Sequence, residues 1–249
     1  MRNVRLVLEY DGSVYRGFQR QRHGPTIQEE LEKALSRLFN RRTKIKAASG
    51  RTDAGVHAVC QVVNFFTTSS MECARMQKGL NGLLPRPIAV KELKDMPRRF
   101  HARYDAKSKI YEYQIWNHPV RSPLLGTRAF HVPEPLKIRR MRQGISVFRG
   151  RHDFGSFSAA NGLGASGKKD KVRTVKSLVI KKQGPLILIR VEADGFLYHM
   201  VRNLVGALVD LGRGKISEAD LKKILKARDR RAAPPTAPAH ALTLAHVTY

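Results

Sequence analysis

An isolated carboxylate is the most suggestive reactive group in this sequence. Between Glu32 and Glu72 the chain contains one acidic residue, Asp53, within the segment Gly-Arg-Thr-Asp-Ala-Gly-Val-His at 50–57. Opposite charge favours the ionised form of a carboxyl group, and an ionised carboxylate can act as a nucleophile. The cations nearby in sequence are Arg37, Arg41, Arg42, Lys44, Lys46 and Arg51. The pattern therefore fits a nucleophile that acts on a polyanionic substrate, and it equally fits a turn aspartate that bonds its own backbone or pairs with Arg51.

The overall charge indicates the kind of partner. The 249 residues include 47 Lys and Arg against 20 Asp and Glu, a formal net charge of +27. Nucleic acid is the natural polyanion for such a chain, because neutralised phosphates release their counterions. A highly charged soluble protein or a membrane-surface binder is the alternative. The cations are spread along the chain and do not line one amphipathic helix, which argues against the membrane.

Cysteine content and hydropathy predict a location. Cys60 and Cys73 cannot by themselves build a disulfide framework or a zinc site. No apolar stretch reaches membrane-spanning length, and the N-terminal segment becomes acidic at Glu9, too early for a signal peptide. We expect a cytoplasmic protein in a reducing environment, with no membrane partner.

Helices and strands alternate along the chain in two blocks. In the first block, periodicity predicts strands at 4–9, 44–48, 58–66 and 88–92, with helices after the Thr26–Glu29 capping box and at 71–83. In the second, it predicts strands at 109–116, 172–180, 186–193 and 242–247, and helices at 136–148 and 217–226. A further helix is indicated by the spacing of Phe196, Met200, Leu204, Leu208 and Leu211. The Asp53 turn would join the strands at 44–48 and 58–66. The fold class predicted is α+β, with helices on one side of two packed sheets or of one continuous sheet.

One glycine-rich segment resembles a nucleotide-binding motif but lacks its context. Gly162–Gly167 satisfies G-x-G-x-x-G, yet no buried strand precedes it and no helix is predicted after it. Lys169 also stands where a P-loop has Ser or Thr. We interpret Gly162–Lys171 as a basic loop that could touch phosphates.

Several short segments, taken together and in order, resemble one family. The 50–57 motif is the most specific of them, and the others are weak singly. They are Tyr10-Asp-Gly12, Tyr15-Arg-Gly-Phe-Gln-Arg-Gln21, Phe100-His-Ala-Arg103, Lys109-Ile-Tyr-Glu-Tyr113, Phe154-Gly-Ser-Phe157, Arg173-Thr-Val175 and His199-Met-Val-Arg-Asn-Leu-Val-Gly206. From about Val4 to Tyr249 the chain resembles the tRNA pseudouridine synthase A family. Two positions depart from the family pattern: Phe18 replaces a frequent tryptophan, and Ala241 a usual glycine.

The resemblance implies a fold and a domain division. The family has two ferredoxin-like or RRM-like α+β halves, with mostly antiparallel sheet, helices on one side and a central RNA-binding cleft. We expect an N-terminal domain at 1–103 that carries the aspartate loop. The C-terminal domain, at 104–249, would carry a base-stacking tyrosine and an arginine on a helix.

The resemblance also implies a reaction and its residues. The family isomerises uridine to pseudouridine at positions 38, 39 and 40 of the tRNA anticodon stem-loop, as a homodimer and without metal or organic cofactor. Asp53 matches the nucleophile, Tyr111 the tyrosine that packs on the target base, and Arg202 an arginine that pairs with the aspartate. Arg51 is suited to gripping RNA phosphate. Two other functions remain compatible with the residues, a non-catalytic RNA-binding protein and a glycosidase that releases uracil.

Overall fold

Two compact units make up the part of the chain that the structure describes. The computed structural model describes residues 1–159 and 170–249. One unit comprises 1–107 together with 243–249, and the other comprises 108–242. Of the predicted basic loop Gly162–Lys171, only Asp170 and Lys171 belong to the described residues. Among the helices of these two ranges, none has the length and apolar character needed to cross a membrane.

The first unit is a sheet covered by two helices. Its elements in chain order are β1 (Arg2–Tyr10), α1 (Ile27–Leu38), β2 (Ile45–Ala48), β3 (His57–Thr67), α2 (Cys73–Leu83) and β4 (Ile88–Met96). Strand β1 lies between β3 and β4 and is antiparallel to both, while β2 pairs with β3, also antiparallel.

Alternating burial explains why β1 forms the centre of this sheet. Val4, Leu6 and Leu8 are fully buried, because side chains two residues apart along a strand point to the same face. Helix α1 places Ile27 and Leu31 in the same core, and it begins at Thr26, whose side chain accepts the N–H of Glu29. Each such buried aliphatic side chain contributes about 1.5–3 kcal/mol.

The second unit has a similar composition of elements. They are β5 (Ser108–Trp116), β6 (Phe130–His131), α3 (Ile138–Phe148), β7 (Gly150–Asp153), β8 (Val172–Gln183), β9 (Leu186–Ala193), α4 (Met200–Arg213) and α5 (Glu218–Ala227). Strands β5, β9, β8 and β7 pair antiparallel in that order, and β6 adds a short parallel pair to β5. The last strand, β10 (Leu242–Thr248), follows this unit in sequence but pairs parallel with β3 of the first unit.

Small residues let the helices of the second unit pack closely. A side chain at Gly144 of α3 would meet Leu208, Leu211 and Leu221 at 2.8–3.2 Å, so α3 lies directly against α4 and α5. Helix α4 is buried along most of its length, as its apolar composition requires.

The predicted α+β class is confirmed, because both units combine helices with mostly antiparallel pairing. One predicted helix boundary is wrong. Phe196 fits the helical spacing of α4, but the helix begins at Met200, after His199 in a left-handed conformation with φ of 61°. The strands β6 and β7 were not predicted, since two and four residues are too few to show an alternating pattern.

Candidate active site

Asp53 lies on the loop that joins β2 to β3, as the sequence predicted. Ala48 pairs with Val63, whereas β3 begins at His57, so the loop leaves the sheet part-way along β3 and returns at the start of that strand. At its start, the hydroxyl of the buried Ser49 donates to Gln61 Oε1 over 2.6 Å. The same Gln61 side chain donates to the Gly50 carbonyl at 2.9 Å. The entry to the loop is therefore held by the β3 strand itself.

The residues on both sides of Asp53 are held by bonds to the β1–α1 segment. Thr52 is buried, and its hydroxyl lies 2.7 Å from the phenol oxygen of Tyr10. Its carbonyl accepts the N–H of Phe18 at 3.0 Å, and the N–H of Gly55 donates to Tyr15 O at 3.4 Å. The Asp53 carbonyl closes the turn by accepting the N–H of Val56 at 3.1 Å. The backbone that presents the carboxylate is thus fixed, while the residue itself is partly exposed.

Burial keeps the Tyr10 phenol neutral, as its hydrogen bond with Thr52 requires. Desolvation raises the pKa of Tyr10 above its ordinary value, and the hydrogen bond with Thr52 lowers it in part. The phenol therefore stays neutral at physiological pH and can share a hydrogen with the threonine hydroxyl.

Two glycines permit the close approach of these segments. A Cβ at Gly12 would lie 2.7 Å from the carbonyl carbon of Val56, and one at Gly17 would lie 2.7 Å from the carbonyl oxygen of Thr52. Gly17 also has a φ of +96°, which disfavours any other residue. The Tyr10–Gly12 and Tyr15–Gln21 segments therefore accompany the aspartate motif because they form the wall on which its loop rests.

His57 completes this frame from the C-terminal side of the loop. Its ring is buried, and Nδ1 lies 3.1 Å from Asp11 Oδ1 and 3.2 Å from the N–H of Gly12. The Gly12 N–H donates to Nδ1, which ties the ring to the segment after β1. His57 therefore anchors the C-terminal end of the loop.

The surroundings of Asp53 differ in part from those inferred from sequence neighbours. Arg51 lies exposed on the same loop. Arg41, Arg42 and Lys44, by contrast, line a cavity with residues at the far end of β3. That end is ten residues from the start of the strand, or about 33 Å. The argument that these three cations hold Asp53 ionised is wrong. The pairing of β2 with β3 places them at the opposite end of β3 from the Asp53 loop, although they are near Asp53 in sequence.

Tyr111 lies in the second unit, on β5 opposite Val191 of β9. Its side chain is 7% exposed, and the Phe196 ring meets it edge-to-face at a centroid distance of 5.1 Å and an interplanar angle of 88°. Phe196, which the helical spacing assigned to α4, is therefore in direct contact with Tyr111. The arrangement fixes the plane of the Tyr111 ring, which a stacking platform requires.

Arg202 lies in the first turn of α4, and a buried polar network fixes its surroundings. Its Nε donates to the Ala237 carbonyl at 2.8 Å, and its own carbonyl accepts the N–H of Ala237 at 3.2 Å. The neighbouring Asn203 is fully buried, accepts from the Thr236 hydroxyl at 2.6 Å and donates to Phe157 O at 2.7 Å.

The segment Pro234–Pro238, here called the connector, approaches α4 closely because residue 206 is a glycine. A Cβ at Gly206 would collide with the Pro235 carbonyl. The glycine that ends the His199–Gly206 motif therefore allows the connector to pack against the helix. The connector then reaches Tyr113, whose phenol donates to Pro238 O at 2.8 Å. Desolvation raises the pKa of Tyr113, and the nearby Arg202 charge lowers it in part. The sequence identified Gly206 and Tyr113 only as members of motifs and did not show what either residue contacts.

The described residues contain no group of three or more His, Cys, Asp or Glu side chains that could hold a metal ion. The two cysteines are free, and burial raises the pKa of both thiols. The first unit therefore offers a carboxylate on a rigid loop. The second unit offers a fixed aromatic ring and a guanidinium.

Comparisons with known proteins agree with these features. A family model described as tRNA pseudouridine synthase matches residues 6–105 and 145–249. The tRNA pseudouridine synthase A of an Exiguobacterium species is 43% identical over 249 residues, covering 100% of this chain and 98% of the relative. The enzymes of the same name from a Thermoanaerobacter species and from Acetivibrio thermocellus are 42% and 40% identical over the full length of both chains.

The family model includes Arg51, Asp53 and Arg202, while Tyr111 lies between its two matched ranges and is covered by the full-length relatives. With a match over most of its length, this chain belongs to the tRNA pseudouridine synthase family, whose members are isomerases that act on tRNA.

Proposed function

We propose that this enzyme converts uridine to pseudouridine at positions 38, 39 and 40 of the tRNA anticodon stem-loop, with Asp53 as the nucleophile and no cofactor. The observation that carries the proposal is the frame around Asp53. A buried bond to Thr52, and main-chain bonds that flank the aspartate, hold the backbone of this partly exposed residue in one position. A turn aspartate with only a local structural role would not need such support from two other sequence motifs.

The reaction explains why a carboxylate is needed. The bond between N1 of uracil and C1′ of ribose breaks, the base turns, and C5 bonds to C1′; the C5 hydrogen leaves as a proton, and N1 takes up a proton. A carboxylate can attack or stabilise an electron-poor sugar carbon, or it can add to C6 of the uracil ring. Both routes require Asp53 to be deprotonated, and both leave the product an isomer of the substrate.

Tyr111 and Arg202 are assigned supporting roles in this proposal. The target base has to leave the helical stack, which costs a few kcal/mol, and stacking on an aromatic ring offsets about 1–3 kcal/mol. Tyr111, whose ring plane is set by Phe196, would provide that ring. Arg202, whose guanidinium is directed by Ala237, would pair with the Asp53 carboxylate during the reaction. Arg51 is exposed and would contact RNA phosphate.

Further parts of the proposal concern organisation. The enzyme would work in the cytoplasm as a homodimer that binds one tRNA across both subunits. Its functional domains would be 1–103, with the aspartate loop, and 104–249, with Tyr111 and Arg202.

One assay separates the proposed reaction from the alternatives. A tRNA transcript labelled with tritium at uracil C5 is incubated with the enzyme in EDTA, and released tritium, RNA mass and abasic sites are measured. An isomerase releases tritium and leaves the mass otherwise unchanged, a glycosidase produces abasic sites, and a non-catalytic binder does neither. Abasic sites in the RNA, or complete loss of activity in EDTA, would contradict the proposal.

The role of Tyr111 is tested by removing one atom. Tyr111→Phe keeps the ring and its edge-to-face contact with Phe196, so a pure stacking role predicts a rate within a few-fold of the wild type. A large loss of rate in this variant would show that the phenol oxygen takes part in the chemistry, and would contradict the stacking assignment.

A further inference from the structure

The 108–242 unit contains a pocket whose lining has the composition of a base-binding site. Its volume is about 530 Å³, within the roughly 300–1,000 Å³ of ligand pockets. It is lined mainly by apolar and aromatic side chains, among them Trp116, Leu125, Phe130, His131 and His240. Arg121 is the one cation among the described lining residues, and no carboxylate lines the pocket.

The aromatic walls of this pocket are held in place by hydrogen bonds. The Trp116 indole N–H donates to Val120 O at 2.9 Å, and His131 Nε2 lies 2.8 Å from His118 O. Trp116 and His131 are also direct neighbours in the β5–β6 pair. A pocket whose rings are already fixed loses little conformational entropy when a flat ligand enters.

The pocket adjoins the segment that holds Arg202. Pro238 lines the pocket, and the preceding residue, Ala237, accepts the Arg202 Nε–H. Along β5, Trp116 is five residues from Tyr111, a distance of about 17 Å, and this odd separation places the two side chains on opposite faces of the strand. The pocket is therefore linked to the Arg202 region through the Ala237–Pro238 segment.

We propose that this pocket binds a second, unpaired nucleobase of the tRNA, with Arg121 on an adjacent phosphate. The inference rests on the proposed function, since it assumes that the anticodon region is the part of the tRNA bound. Bases of single-stranded loops are recognised by stacking on aromatic rings, with arginine on the backbone. The absence of carboxylates from the described lining removes the repulsion that phosphate would otherwise meet. The occupied pocket would fix the register of the RNA relative to the nucleophile.

The chain provides a direct probe of this site, because Trp116 is its single tryptophan. Fluorescence excited at the indole band is followed while the full-length protein is titrated with tRNA transcript, and in parallel with a fully paired RNA duplex of equal length. We expect tRNA to quench the emission and to reduce quenching by acrylamide about twofold or more, because a stacked base covers the indole. The duplex should bind through phosphates without either effect.

Arg121→Gln tests the phosphate contact, and Leu124→Gln is its matched control. Leu124 lies in the same turn, is 92% exposed and does not line the pocket. Arg121→Gln should weaken tRNA binding about tenfold and reduce the slope of log affinity against log salt by about 1, whereas Leu124→Gln should do neither. Asp53→Ala should retain the tRNA-induced quench, because base binding precedes turnover.

Three results would overturn the inference. They are an unchanged Trp116 emission with tRNA, equal quenching by the duplex, and an emission that depends on protein concentration without RNA, which would place a second copy of the chain in the pocket. Because the readout is binding, each of them can occur while tritium release is normal. A failure of the proposed reaction, conversely, would leave the fluorescence result intact.

Discussion

The close approach of Gly12 to Val56 makes a sharp prediction about the Asp53 loop. In Gly12→Ala the new methyl carbon would lie 2.7 Å from the Val56 carbonyl carbon, against 3.4–4 Å in ordinary contacts, and closer still to the carbonyl oxygen. Both neighbours are backbone, so no side chain can rotate away. The Val56 peptide has to retreat by roughly 1 Å, and a displacement of that size in a positioned catalytic group costs about 10²-fold in rate.

The displacement reaches Asp53 by a short route. Val56 donates its N–H to the Asp53 carbonyl at 3.1 Å, so the two residues close one turn. We expect Gly12→Ala to remain folded, with a free energy of unfolding about 1–3 kcal/mol lower. Its kcat for tritium release should fall about 10²-fold. Binding of tRNA should change little, because affinity depends mainly on dispersed cations.

Gly82→Ala is the matched control for this variant. Gly82 lies in α2 of the same unit, and a Cβ at this position meets nothing within 4 Å. Alanine in a helix is favoured over glycine by about 0.5–1 kcal/mol, so this variant should be slightly more stable and fully active. Circular dichroism and thermal unfolding monitor the fold of both proteins. A folded Gly12→Ala enzyme with a wild-type kcat would refute the claim that this frame positions Asp53.

Three further predictions concern single side chains. Tyr10→Phe leaves the buried Thr52 hydroxyl without its 2.7 Å partner, so chemical denaturation should show a loss of about 1–3 kcal/mol; an unchanged stability would mean that the bond contributes nothing. Arg51→Ala should weaken tRNA binding and lower the salt slope by about 1 with kcat unchanged, and a loss of kcat at saturating tRNA would instead assign Arg51 to the chemistry. The hydrogen bond from Arg2 lowers the pKa of Asp95 below 3.8, so this pair stabilises the fold above that pH and its contribution disappears as the pH falls through the lowered value. Because the pair is exposed, Asp95→Asn should cost less than about 1 kcal/mol at neutral pH and nothing in strong acid, as measured by unfolding at both pH values.

Local patterns in the sequence predicted most of the elements, because burial alternates along strands such as β1 and recurs every three to four residues along α1. They could not predict that β10 pairs with β3, since that contact joins residues far apart in sequence. The start of α4 was also misplaced, because Phe196 has the right spacing but packs on Tyr111 from outside the helix.

The position of the aspartate loop was correctly predicted from the flanking strands, but what holds it was not. Tyr10 and Thr52 are 42 residues apart, and their bond depends on the pairing of β1 with β3. The pairing of β2 with β3 places Arg41 and Arg42 at the far end of β3, which sequence proximity to Asp53 does not reveal. The charges near a residue in sequence therefore show its electrostatic surroundings only once the strand register is known.

The most direct test of the account is the rate of tritium release by Asp53→Asn under single-turnover conditions, with Asp105→Asn, another loop aspartate of the same unit, as control. Asparagine preserves the size of the side chain and removes its charge and nucleophilicity. We predict a rate about 10⁴-fold or more below the wild type, with unchanged tRNA affinity and a fully active control. A rate within tenfold of the wild type would show that Asp53 is not the nucleophile.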